Sequence, residues 1–86
     1  MLLIYFSMEE KQQVQKLFGQ VIYEIRISKN LKQSDVAEAG RLDDTYVSDL
    51  ERGNYMPSLY TVLKLAKGLQ VSPSKLINKF EEKLSS

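Results

Sequence analysis

An all-α fold of five helices with short connections is predicted for this 86-residue chain, on three observations. Apolar residues recur at three- and four-residue steps through most of its length. Serine, aspartate and proline stand where those runs begin, as helix caps do. No segment alternates with a period of two, and no internal repeat is present.

Ser7 with Glu10 has the spacing of a capping box, which starts the first helix. Val14, Leu17, Phe18, Val21, Ile22 and Ile25 then form one apolar face that runs out near Asn30. Gly19 interrupts this face and predicts a bend or break. Leu31 to Ala39 is a short second helix with Val36 and Ala37 inward, followed by a tight connection at Gly40, Arg41 and Leu42. Asp43 caps the third helix and Gly53 ends it. Pro57 and Ser58 prepare a fourth, whose Leu59, Val62, Leu63, Leu65, Ala66 and Leu69 are apolar over much of its girth and mark it as central. Ser72 and Pro73 open a fifth, which carries Leu76, Ile77, Phe80 and Leu84.

The length allows one domain with one modest core. Residues 8–86 are read as that domain. The preceding "MLLIYF" is either an arm packing on the body or on a partner chain, or an upstream extension with Met8 the natural start. It is too short for a membrane span and lacks the features of a signal peptide. Hydrophobic residues make up 43% and charged residues 27%, as in globular proteins. With no cysteine and no histidine, disulfides, thiol nucleophiles and most transition-metal sites are excluded, which fits a cytoplasmic location. No constellation for catalysis is visible, so an enzyme is not expected, nor a cofactor or metal. The net charge of +1 gives no whole-molecule field toward nucleic acid or a membrane surface.

The second and third helices, joined by a few residues over about 32–53, have the helix-turn-helix arrangement. Counted from Gln33, the small residue at the helix contact is Ala37, and the buried branched residues of the second helix are Val47 and Leu50. At these residues the chain resembles the Cro/CI-type (XRE) family of phage repressors and bacterial regulators. "TYVSDLERG" and "PSLYTVLKLAKGL" are especially similar to it, and to the controller proteins of restriction–modification systems. The resemblance runs from about Leu17 to Leu76. It implies a lambda-repressor-like five-helix domain and a regulator that binds double-stranded DNA, with the third helix in the major groove.

Three positions depart from the family. Lys32 stands where Ser or Thr usually caps the second helix. Arg41 stands where the turn usually has glycine, so either the turn is shifted or Arg41 is strained. Asp44 stands where a basic or amide residue is frequent.

With Val47 and Leu50 inward, the outward side of the third helix presents Asp44, Thr45, Ser48, Asp49 and Arg52. Thr45 and Ser48 are short enough for close approach to base edges, and Asp44 or Asp49 can accept from the cytosine amine. Asp43 and Asp44 also suit a helix N-terminus for electrostatic reasons alone. Gln33 resembles the family glutamine that spans a phosphate and the recognition helix. Lys32, Arg41, Arg52 and Asn54 are candidates for phosphate contacts. Tyr46 faces either the sugar–phosphate or the domain, and Tyr55 and Tyr60 are equally open. Arg26 and Glu51 resemble the family's structural pair that locks the recognition helix to the first helix.

From Arg26 to Tyr55 there are five basic and six acidic residues, net −1. Phosphate contacts normally supply most of the affinity, so a monomer should bind DNA poorly. Dimerisation would double the contacts; Leu76, Ile77, Phe80 and Leu84 form a stripe that serves either the domain's own core or a second copy, and the family resemblance implies a homodimer. Asp35 and Glu38 form an acidic edge that is either an ordinary solvated face or a contact for RNA polymerase. The local charge also leaves open a protein-interaction module on a helix-turn-helix scaffold.

Overall fold

Four of the five helices end in the same way, and only one of those ends uses glycine. The computed structural model describes residues 8–86, in the order α1 (Met8–Ser28), α2 (Gln33–Gly40), α3 (Asp44–Glu51), α4 (Leu59–Gly68) and α5 (Pro73–Ser85). Ser7 and the "MLLIYF" segment lie outside the described residues. After α1, α2, α3 and α4 respectively, Asn30, Arg41, Gly53 and Gln70 take left-handed backbone angles, φ 56°, 56°, 78° and 60°. The next residue's N–H then reaches back to an orphan carbonyl: Leu31 to Arg26, Leu42 to Ala37, Asn54 to Asp49 and Val71 to Ala66, all within 3.0 Å. This closure reverses the chain in few residues and satisfies carbonyls that would otherwise be unpaired.

The helix starts are local as well. Asp43 accepts from the N–H of Thr45, Ser58 from that of Thr61 and Ser72 from that of Lys75. Lys32 has no acceptor, but the missing cap is partly replaced from the other direction. The carboxylate of Asp35 accepts the Lys32 N–H at 2.7 Å, the reciprocal half of a capping box.

The core is built from Phe18, Val21, Ile22 and Ile25 of α1, Val36 and Ala37 of α2, Val47 and Leu50 of α3, Val62, Leu65 and Ala66 of α4, Leu69 just after it, and Leu76 of α5. Three expectations are corrected. α1 is continuous through Gly19. A side chain there would place its Cβ 2.4 Å from the Leu50 carbonyl oxygen and 2.6 Å from that of Glu51, so the glycine is where the end of α3 rests on α1. The turn is not shifted to Gly40, which is the last residue of α2 and lies against the Lys64 carbonyl of α4. Arg41 itself takes the left-handed conformation, at a cost of about 1 kcal/mol for a residue with a Cβ. Finally, α4 is not buried all round: Leu59 is 77% and Leu63 46% exposed. Among the described residues no helix is long and apolar enough to cross a membrane.

Candidate nucleic-acid interface

α3 is held by apolar anchors on one side, which leaves the other side free. Val47 is fully buried and Leu50 nearly so, whereas Asp44, Thr45 and Arg52 are exposed and Ser48 and Asp49 half-buried. Its ends are fixed by the Asp43 cap and by Gly53. The Gln15 amide of α1 donates to the Gly53 carbonyl at 3.4 Å, a link that no local sequence signal announces.

Behind the helix lies a buried ionic clamp. Arg26 Nε donates to Glu51 Oε2 at 2.6 Å and Nη2 to Oε1 at 3.0 Å, a two-bond fork. Its Nη1 donates to the Leu31 carbonyl at 2.9 Å. Gln33 of α2 adds a third donor to Glu51, Nε2 to Oε1 at 3.0 Å. The pair therefore ties α1, the start of α2 and the end of α3 together. Its side chains are only 11% and 6% exposed, so each charge depends on the other for the solvation it has lost. The Glu51 hydrogen bond outweighs burial and holds the Arg26 guanidinium above its ordinary value, so the cation persists at any physiological pH.

On the outward side, Arg52 folds back along α3. Its Nη2 donates to Ser48 Oγ at 2.6 Å and its Nη1 lies 3.5 Å from Asp49 Oδ1. Ser48, Asp49 and Arg52 thus form one polar cluster. Lys32, Arg41 and Asn54 are exposed at the flanks. Gln33 is half-buried with its amide turned to Glu51. Tyr46 is half-buried, its ring 5.8 Å from that of Tyr55. Tyr60 lies under the Lys64 ammonium, 5.2 Å from the ring centre.

The structure leaves the net charge of −1 between Arg26 and Tyr55 unchanged but shows where its members are engaged. Glu51 is neutralised by Arg26, and Asp35 and Asp43 are drawn onto backbone N–H groups. Asp49 sits beside Arg52. On the opposite side of the balance, Lys29 is turned toward the Gln70 carbonyl, away from α3.

The apolar stripe of α5 is divided by the structure. Leu76 is fully buried in the domain's own core and so cannot take part in a surface contact. Phe80 packs edge-on against Phe18 with ring centres 5.2 Å apart and stays half-buried. Ile77 and Leu84 are exposed. A shallow groove of about 120 Å³ runs between α1 and α5, lined by Val14, Phe18, Met56, Val62, Ile77 and Phe80 among others. Leu59 and Leu63, one turn apart on α4, are exposed as well. The apolar girth marks α4 as central, but periodicity cannot say which side of such a helix is covered.

Comparison with known proteins agrees with this fold. The model of the helix-turn-helix family matches residues 22–76. The control protein C.BamHI of Bacillus amyloliquefaciens is 41% identical over 66 residues, covering 76% of this chain and 82% of the relative. The crystal structure of the restriction–modification controller C.AhdI from Aeromonas hydrophila superposes with a TM-score of 0.68 at 40% identity, over 72% of this chain and 94% of that one. The controller C.Esp1396I, solved as a tetramer in complex with its natural 35 base-pair operator, superposes with a TM-score of 0.80 at 27% identity, over 85% and 96% of the two chains.

Proposed function

The chain belongs to the helix-turn-helix family, and from that premise we propose that it is a sequence-specific DNA-binding transcriptional regulator of the controller or repressor type, acting in the cytoplasm. The observation that carries this reading is α3: a capped helix, clamped from behind through Glu51, whose outward side is short and polar. Such a helix can enter the major groove with Thr45 and Ser48 near base edges. Lys32, Arg41, Arg52 and Asn54 flank it as phosphate contacts, and Tyr46 packs against Tyr55 at its edge with the ring planes inclined at 45°.

The working unit is a two-fold homodimer with half-sites about one helical turn apart. Ile77, Phe80 and Leu84 of α5, with Leu59 and Leu63 of α4, form the surface for the second copy. Dimerisation also answers the weak local charge. Lys32, Arg41 and Arg52 from each protomer make roughly six phosphate contacts, so affinity should fall by about three orders of magnitude between roughly 50 and 200 mM salt. Contact with RNA polymerase through α2 rests on Glu38, since Asp35 is engaged as a cap.

The test is a gel-shift titration against DNA upstream of the protein's own gene at two salt concentrations, with scrambled DNA as competitor. A discrete, salt-sensitive complex that survives the competitor is expected. No complex even at low salt would replace this reading with the protein-interaction module.

A further inference from the structure

α3 and its cap bring three aspartates to the candidate interface, and the structure sorts them. Asp43 is occupied as the cap, its Oδ1 accepting the Thr45 N–H at 2.9 Å. Asp49 lies beside the Arg52 guanidinium at 3.5 Å, with 23% of its side chain exposed. Asp44, the first residue of the helix, is exposed, and its carboxylate makes no hydrogen bond or ion pair among the described residues. It shares a face with Ser48, one turn further on.

A free carboxylate at the leading end of a groove-binding helix is opposed by every nearby phosphate unless it meets a donor. Major-groove edges offer few. Guanine presents the acceptors N7 and O6, and thymine presents O4 and a methyl group, so both repel or ignore a carboxylate. Adenine has a donor at N6, but the adjacent N7 is an acceptor that faces the second carboxylate oxygen. Cytosine presents its N4 amine with no acceptor of its own on that edge. A carboxylate therefore ranks cytosine first, adenine second, and guanine and thymine last.

We infer that Asp44 is a specificity-determining residue that accepts a hydrogen bond from the N4 amine of a cytosine in each operator half-site. This rests on the reading of α3 as the major-groove helix and adds to it the base that the helix selects at its leading end.

The experiment is binding-site selection from a duplex library randomised across the half-site, run in parallel with the wild-type protein, Asp44→Asn and Asp44→Ala. The wild type should enrich cytosine at one position of each half-site, and in competition should prefer it to guanine there by roughly ten- to a hundredfold. Asp44→Asn should enrich adenine at that same position, since asparagine donates to N7 and accepts from N6. Asp44→Ala should enrich no base there, and the remaining positions should be shared by all three. If all three select the same base at every position, the assignment of Asp44 is overturned while DNA reading stands. If the folded wild type, checked by circular dichroism, enriches no motif at all, the DNA reading falls and this inference with it.

Discussion

Replacing Gly19 with alanine sets two effects of opposite sign against each other. In a helix interior, alanine is favoured over glycine by about 1 kcal/mol. Were Gly19 a flexible joint, the substitution would therefore stabilise the protein. In the structure, however, the new Cβ would lie 2.4 Å from the Leu50 carbonyl oxygen, and restoring an ordinary contact of 3.4 Å requires a retreat of about 1.0 Å. The obstructing atoms are backbone, so no side-chain rotation relieves them. They also belong to the turn of α3 that the Arg26–Glu51 clamp holds in place. Overpacking of this kind costs typically 1–3 kcal/mol, and the rigidity of the neighbour puts this site in the upper half of that range. The net result is a loss of about 1–2 kcal/mol, or about 5–15 °C in melting temperature for a domain of this size. Urea and thermal denaturation followed by circular dichroism measure it directly. Gln20→Ala, on the exposed side of the same turn, should change stability by no more than about 0.5 kcal/mol. A Gly19→Ala protein that melts at or above the wild-type temperature would refute the argument.

Arg26→Ala should cost about 3 kcal/mol or more, since it strands the buried Glu51 carboxylate with Gln33 alone; the double variant Arg26→Met/Glu51→Leu should recover most of that loss in the same denaturation assay. Thr45→Ala combined with Ser48→Ala should weaken operator binding at least tenfold in a fluorescence anisotropy titration, while the melting temperature stays within a few degrees of wild type. Ile77→Glu should shift the protein toward monomer in sedimentation velocity without loss of helical signal, because its side chain is 44% exposed and outside the core.

The order of the helices and the starts of α3, α4 and α5 were readable because caps are decided by neighbours in sequence. Asp43, Ser58 and Ser72 each bond an N–H two or three residues away. The ends were only half readable. Gly53 and Asn30 belong to residue types that tolerate the left-handed region, whereas Arg41 and Gln70 take it because the closing hydrogen bond and the packing beyond it demand the turn. What the sequence misassigned depends on contacts between distant segments. Gly19 looks like a defect until the end of α3 is set against it, and Leu59 and Leu63 look like core until α4 is seen to be covered on one side only. At the interface, residue type identified the outward positions of α3, but not which were already engaged. The tie of Gln33 to Glu51 emerges only from the fold, while those of Asp35 to the Lys32 N–H and of Arg52 to Ser48 are local but depend on side-chain choices that residue type leaves open.

The side chains of Asp44 and Thr45 hold nothing together, while those just behind them hold almost everything. Arg26, Gln33 and Glu51 fix where α3 sits; Asp44 and Thr45 only decorate it. The chassis and the lettering are consequently separable. On the proposed reading of α3, a lineage built on this scaffold would change the operator it recognises by exchanging a few exposed letters, without renegotiating the packing beneath them. The same separation would let an engineer re-address the protein while its melting temperature reports that the frame is intact.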